Sequence, residues 1–364
     1  MLYSRQNLGP FLRRAFWILF SWVLIANVLF FYEYFTLQDH NALTSAYDFL
    51  VAFQANLLVS TVAGIIGGTL TVNFMERSLR KYAFAKALTI IIGTYIIGAY
   101  IISFVGSIFY YSDYLGAPLF SPEVLAEVRE FFTSWLFLKS IIVWLFIVLG
   151  TLIVLMINDK YGPGVFPDYL KGRYFRPKKE HRIFMFADIR NATGIAEDVG
   201  ELKYFNFLKD FFKDIAPAIQ RYRGEVYQYV GDEVVLTWKM HRGLKKSNTI
   251  KCYYRMRRDV RKRRDYYLKT YGHVPEFKVG IHCGSVMVGE LGTLKRDIAF
   301  SGDVLNTTAR IQDQCNTKGH DILASTTFSS LLTELPKGVR IKALGDELLK
   351  GKSEEVAIVT FERG

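Results

Sequence analysis

Residues 183–193 read IFMFADIRNAT. Four apolar residues, Ile183 to Phe186, lead through Ala187 into Asp188, and the chain then turns polar. A short apolar run closed by polar residues predicts a buried strand. Asp188 then stands where the strand stops, and Ile189 to Thr193 form a loop whose N–H groups open onto a helix start. A carboxylate beside a helix N-terminus suits a divalent metal and a phosphate chain. An Asp in that place is also an ordinary cap or turn former. The segments that follow decide between the two.

Glu201–Arg221 is predicted helical, with Tyr204, Phe205, Leu208, Phe211, Phe212, Ile215 and Ile219 on one apolar face. Arg223-Gly224 ends it. Residues 225–238, EVYQYVGDEVVLTW, read as two strands around Gly231-Asp232, a tight hairpin with an acid at its tip. If the two strands that end in Asp188 and Asp232 are neighbours, the carboxylates lie side by side, as two-metal phosphoryl chemistry requires.

Residues 244–271 predict one long basic helix that includes RMRRDVRKRRD at 255–265. Tyr253, Tyr254, Val260, Tyr266, Tyr267 and Leu268 supply its packing stripe. Such charge fits nucleic acid, acidic lipid or simply a solvated face. No nucleic-acid motif stands beside it, so nucleic acid is not an expected partner. Residues 277–283 predict a strand, Gly284-Ser285 a break, and Val286 to Leu291 a further strand. In residues 297–312, DIAFSGDVLNTTARIQ, a short strand passes Gly302-Asp303 into a helix. Asn306 and Arg310, four apart, share one face of it. An amide and a planar guanidinium there suit a ribose oxygen and a phosphate, or belong to a plain surface helix. A strand near 322–324, a helix near 326–332 and a hairpin over 339–361 complete the chain.

The whole chain of 364 residues is 51% hydrophobic yet carries a net charge of +12, a combination that conflicts for one soluble domain. The apolar residues concentrate before about residue 158. Residues 15–35, 49–74, 84–111 and 135–157 each approach or exceed the ~20 apolar residues that cross a bilayer. The length of the run after Arg13-Arg14 argues against a cleaved signal peptide. Lys and Arg alternate between the short loops. Arg13 and Arg14 precede the first span, residues 36–48 have none, and Arg77, Arg80, Lys81 and Lys86 follow the second. Residues 112–134 hold Arg129 alone, and Lys160, Lys171 and Arg173 follow the fourth span. The bias predicts an integral membrane protein with both termini and the second half cytoplasmic. Gly64, Gly67 and Gly68 allow close helix approach or are ordinary glycines in lipid. Residues 158–180, with Gly162, Pro163, Gly164, Pro167 and Pro177, form a basic linker suited to an anionic membrane surface. Cys252, Cys283 and Cys315 form no CxxC pair, which argues against a disulfide frame or zinc site. The expected domains are 1–157, 158–180 and 181–364.

From about His181 to Phe361 the chain resembles the catalytic domain of the class III nucleotidyl cyclases, the adenylate and guanylate cyclase family. FADI, YVGDE, KVGIHCGSVMVGELG, SGDVLNTTAR and LLKGK carry the resemblance in that order. With the four apolar runs before it, the expected fold is multi-domain, an all-α four-helix transmembrane domain followed by what the resemblance implies, an α+β, ferredoxin-like βαββαβ catalytic domain. The resemblance implies two divalent ions, Mg²⁺ or Mn²⁺, on Asp188 and Asp232 with the Ile189 carbonyl. Arg190, Asn191, Ala192 and Thr193 would cradle phosphates, helped by Lys278 and by Lys350 of the terminal LKG motif. Lys278 stands where the family carries Arg, so the charge is kept and the fork lost. Asn306 and Arg310 would orient the ribose and hold the α-phosphate. The family works as a head-to-tail dimer, here a homodimer whose partner donates Asn306 and Arg310.

Base selection departs from the family. Adenylate cyclases commonly carry Lys with Asp or Thr, and guanylate cyclases Glu with Cys. This chain has Gln228 and Ala299, with Asp297 two residues away on the same strand face. A Gln amide reads either purine. The lack of an acid favours ATP, hence an adenylate cyclase, over GTP and a guanylate cyclase. The NTTAR helix argues against a dinucleotide-cyclising enzyme. Intact Asp188, Asp232, Asn306 and Arg310 argue against an inactive receptor.

Overall fold

The computed structural model describes residues 8–43, 47–77, 84–161, 172–294, 297–351 and 354–364. By its contacts the chain forms two compact units, Met1–Lys160 and Tyr161–Gly364.

The first unit is helical: α1 (Leu8–Asp39), α2 (Phe49–Arg77), α3 (Phe84–Leu115), α4 (Pro122–Thr133) and α5 (Trp135–Tyr161). Among the described residues, four stretches are long and apolar enough to cross a membrane: Phe11–Asp39, Phe49–Phe74, Leu88–Leu115 and Phe137–Ile157. Most of their apolar side chains, among them Trp17, Phe20, Leu24 and Val28, are exposed within the unit. Apolar exposure on that scale is compatible with membrane spans. The glycines resolve into close packing of α1 on α2. A Cβ on Gly67 would lie 2.3 Å from the Trp22 ring, and one on Gly64 2.6 Å from Leu19. Trp22 donates to Thr151 at 2.9 Å, so α1 is also tied to α5. Glu33, near the end of α1, pairs with Lys139. Residues 112–134, expected as a loop, contain α4. Ser121 caps it by accepting from Val124 N–H, Pro122 supplies the fixed φ of a first turn, and Val124 and Val128 bury against Ile108.

Within the second unit, among the described residues, lies an eight-stranded sheet. Its strands are β1 (Lys178–Ile189), β2 (Glu225–Val230), β3 (Glu233–Lys239), β4 (Phe277–Leu291), β5 (Asp297–Ser301), β6 (Ile322–Ser325), β7 (Val339–Glu347) and β8 (Val356–Arg363). The order is β2-β3-β1-β4-β6-β8-β7, with β5 on β4. The helices are α6 (Ala192–Val199), α7 (Glu201–Arg221), α8 (Met240–Leu244), α9 (Asn248–Arg261), α10 (Arg264–Tyr271), α11 (Asp303–Lys318) and α12 (Thr326–Ser329). The first four strands, with α7 between β1 and β2 and α9–α10 between β3 and β4, make the βαββαβ core.

β1 reads as an unbroken apolar run because both faces of the sheet are covered. Ile183, Met185, Ala187 and Ile189 pack with Phe207, Phe211 and Ile215 of α7. Phe184 and Phe186 pack on the other side with Val235, Val286 and Val288.

Several expectations are corrected. β4 runs without a break through Gly284-Ser285; Gly284 marks where Val304 of α11 presses on the strand, 2.7 Å from any added Cβ. The long basic helix is three pieces. Lys246 and Ser247 take left-handed φ of 51°, and the chain breaks again at Lys262-Arg263. Its buried stripe is Ile250, Tyr253, Met256, Val260 and Tyr267, whereas Tyr266 and Leu268 are exposed. In α7, Phe207 is buried and Phe205 is exposed. α12 ends at Ser329, short of residue 332. Of the linker, residues 158–161 belong to α5 and 178–180 to β1, while Gly162, Pro163, Gly164, Pro167 and Lys171 lie outside the described residues.

Candidate active site

The strand pairing assembles the site. β3 runs antiparallel to β1 with Asp188 opposite Glu233, so Asp232, one residue earlier in the turn, lies beside the end of β1. Gly231 adopts φ +61°, which a side chain would resist, and this tight turn holds Asp232 at the tip. On the other side of β1, Asp188 stands opposite Lys278 of β4. Lys278 Nζ lies 3.3 Å from Asp188 Oδ2.

After Ile189 the chain turns over two residues, Arg190 and Asn191, and α6 begins at Ala192. The expected loop is thus shorter. Asn191 takes the left-handed conformation at φ 53°. Gly194 leaves room for the Asn191 side chain, which an added Cβ would strike at 2.6 Å. Arg190 is held from behind: Nε donates to Asp321 at 3.1 Å, Nη1 to the Asn316 side chain at 2.7 Å and Nη2 to the His320 carbonyl at 3.0 Å. A cleft of about 260 Å³ results, lined by Asp188, Ile189, Arg190, Asn191, Ala192, Thr193, Asp232, Lys278 and Asn316. Asn316 lies outside every sequence motif. Only the packing of the α11 C-terminus against Arg190 brings it in.

Negative charge is crowded here. Burial, then hydrogen-bonding contact with Asp188 and its charge, pushes the Asp232 carboxyl up to about 6. Burial and the charges of Asp188 and Asp232 raise Glu233 to about 7. Tyr204 is pushed up to about 12, by burial first and then by the same two aspartates. Two carboxylates at the mouth of a polar cleft are hard oxygen donors, the kind that Mg²⁺ and Mn²⁺ take. Among the described residues no three His, Cys, Asp or Glu side chains close around one point. Further ligands there would be oxygens of the backbone, water or substrate. The residues present fit a divalent ion in that sense.

The other expected residues lie elsewhere on the unit. Asn306 and Arg310 share the first turns of α11, outside the cleft; Arg310 Nη1 contacts Asp313 at 3.3 Å and remains 43% exposed. Lys350 is exposed in the turn between β7 and β8. Gln228 sits at the bulge where β2 shifts register on β3. Ala299 pairs with Gly289, and Asp297 with Leu291, on β4. β2 and β5 nevertheless meet. The Tyr227 and Phe300 rings stand edge-to-face at 4.9 Å, and Phe300 N–H donates to the Tyr227 hydroxyl at 3.4 Å. Gln228 and Ala299 each adjoin that contact. Beneath it the Arg182 guanidinium, 1% exposed, lies 4.8 Å from the Phe300 ring and binds Glu180 at 2.9 Å and Glu225 at 2.7 Å.

The chain is 33% identical over 213 residues to Adenylate cyclase 2 of Rhizobium meliloti (strain 1021), covering 58% of each. It is 26% identical over 183 residues to Adenylate cyclase of Anabaena cylindrica, covering 48% of this chain and 35% of that one. The chain thus spans between about one third and somewhat over half the length of these relatives. A solved structure of a bacterial light-regulated adenylyl cyclase shares the fold, with a TM-score of 0.50 at 18% identity, over 63% of this chain and 65% of that one. The family profile for the adenylate and guanylate cyclase catalytic domain matches residues 176–361, half of the chain, and the chain belongs to that family.

Proposed function

We propose that the chain is a membrane-anchored adenylate cyclase that converts ATP to 3′,5′-cyclic AMP and pyrophosphate. The observation that carries this reading is the Asp188–Asp232 pair at the mouth of the turn that leads into α6. The ribose 3′-oxygen attacks the α-phosphorus, the bond to the bridging oxygen of the β-phosphate breaks, and the 3′ proton leaves. When bound, divalent ions would neutralise phosphate charge and favour the 3′-alkoxide. Asp188, Asp232 and the Ile189 carbonyl would hold them. Lys278 balances the carboxylates from within the sheet and stands ready to face a phosphate oxygen. The backbone from Arg190 to Thr193, at the start of α6, offers N–H groups to the triphosphate. Arg190, bound on three sides by Asp321, Asn316 and His320, positions that turn.

Asn306 and Arg310 act at the second site of a head-to-tail homodimer, where they meet the aspartates of the partner, and Lys350 joins the phosphates there. Their place outside the cleft of their own chain supports this. Gln228 and Ala299, with Asp297 nearby, read the base. Gln228 carries no acidic charge to match guanine N1–H and N2–H₂, which favours ATP. Its amide also accommodates guanine, so guanylate cyclase is the second reading. The apolar helices of the first unit support anchoring in a bilayer, and the Lys/Arg bias of the loops supports cytoplasmic termini. Nucleic acid is not proposed as a partner. The basic segment is partly neutralised by Arg255–Asp259, Arg257–Asp321 and Arg263–Asp214 pairs.

The test is product analysis. Purified full chain with Mn²⁺ and ATP is expected to form cyclic AMP. Formation of cyclic GMP alone from GTP, or of neither product at any metal concentration, overturns the reading.

A further inference from the structure

A second cleft, of about 820 Å³, opens between α9 and the strands β6 and β8. Of its lining, the reaction above uses only Asp321 and the His320 carbonyl, through their hold on Arg190. Arg257, Arg258 and Arg261 line it from α9, Lys262 from just past its C-terminus, and Arg363 from the end of β8. Two carboxylates face them, Asp321 and Glu362, and both are engaged. Asp321 binds Arg257 at 3.1 Å and Arg190 at 3.0 Å, and Glu362 binds Lys342 at 3.2 Å. Among the described residues no carboxylate lies within ion-pairing distance of Arg258, Arg261, Lys262 or Arg363.

This charge works against the helix. Arg257 with Arg261, and Arg258 with Lys262, are like charges four apart, which is destabilising on a helix surface. The α9 C-terminus favours some positive charge, but that effect is confined to the last turn. The floor is rigid: Tyr253 is buried, and the Tyr254 hydroxyl donates to the Phe361 carbonyl at 2.8 Å. Guanidinium forks on a fixed aromatic floor suit phosphate oxygens. The volume is that of a small-molecule site rather than of one inorganic anion.

We propose that this cleft is a second ligand site, for an anion bearing several phosphate groups, and that Asp321 links it to the nucleotide pocket. Arg257 in the cleft and Arg190 in the pocket share the two oxygens of that one carboxylate. An anion that draws Arg257 away leaves Asp321 to Arg190 alone, and the turn that Arg190 positions responds. The link rests on the nucleotide reading given above; the cleft does not.

The test uses the full chain in phosphatidylcholine nanodiscs with chelator present, titrated calorimetrically with myo-inositol hexakisphosphate. One site per chain is expected. Arg258→Glu with Arg261→Glu should weaken it by about tenfold or more, and Arg258→Lys with Arg261→Lys, which keeps the charge and loses the forks, should weaken it less than the charge reversal does. Absence of binding, or binding unchanged by charge reversal, overturns the site. Nanodiscs containing phosphatidylglycerol separate the sources: weaker probe binding there assigns the cleft to lipid headgroups, and equal binding to a soluble anion. For the link, saturating probe should shift the affinity for a fluorescent ATP analogue by about threefold in the wild type and not in Asp321→Asn. A shift that persists in Asp321→Asn is direct competition and overturns the link, as does no shift at all. Failure of the nucleotide reading would appear as an analogue that does not bind while the probe still does.

Discussion

Asp188 and Lys278 face each other across the β1–β4 ladder, with Nζ 3.3 Å from Oδ2. The lysine is one of the few cations set against a crowded pair of acids. Lys278→Ala should lower kcat/KM for Mn-ATP by about 10- to 100-fold, and Lys278→Arg should restore much of it. Initial rates across an ATP series, with expression and thermal stability matched, check this. Equal losses in the Ala and Arg variants would show that shape, rather than charge, is what Lys278 supplies.

Asp188→Ala and Arg310→Ala should each be inactive alone and regain activity on mixing. A mixed dimer of the two contains one composite site with all four groups intact, so recovery approaches about a quarter of the wild-type rate with random pairing. Rates of the mixture, with dimer formation followed by light scattering, test it. Intact mixed dimers without recovery would count against shared sites.

Gln228 and Ala299 flank the Tyr227–Phe300 contact that joins β2 to β5. Gln228→Glu with Ala299→Cys should move the kcat/KM ratio toward GTP by about tenfold or more, and Gln228→Lys with Ala299→Asp should move it toward ATP. The ratio measured with both nucleotides in competition reads this directly. An unmoved ratio would place base selection elsewhere.

Gly280 is where α11 lies flush on β4. An added Cβ would sit 2.5 Å from Gln312 N and 2.6 Å from Thr308 O, and backbone on a packed helix cannot step aside. Gly280→Ala should cost about 1–3 kcal/mol, seen as a Tm lower by several degrees in the full chain. A Tm within about a degree of the wild type would mean that α11 floats more freely than its packing implies.

The loop charges make a topological prediction. Protease added to sealed inside-out vesicles should cut the second unit, and protease added to right-side-out vesicles should not. The reverse pattern would overturn the orientation.

Much of this was legible in the residues. Ile183–Phe186 announced a buried strand, and Gly231-Asp232 announced the turn that carries the second acid. What stayed hidden depended on contacts distant in sequence. Asn316 enters the cleft only because Arg190 reaches back to the end of α11. Ser121-Pro122 is a helix start that an apolar-span reading passes over, since α4 is amphipathic and short. The break at Lys246-Ser247 uses left-handed backbone at residues that carry no glycine signal. Gly284 looked like punctuation and is instead the hollow that receives Val304.

β4 leaves one more consequence. Lys278, beside the acids, and Gly289, opposite Ala299, are eleven residues apart on the same strand, about 36 Å of extended chain. A purine and its triphosphate tail do not stretch that far, so on the proposed assignment of Lys278 to the phosphates and Ala299 to the base, one polypeptide would grip one end or the other but not both ends of the same molecule. Turnover should therefore collapse on dilution with a second-order dependence on protein, and crowding chains together in a small patch of bilayer would by itself act as a throttle.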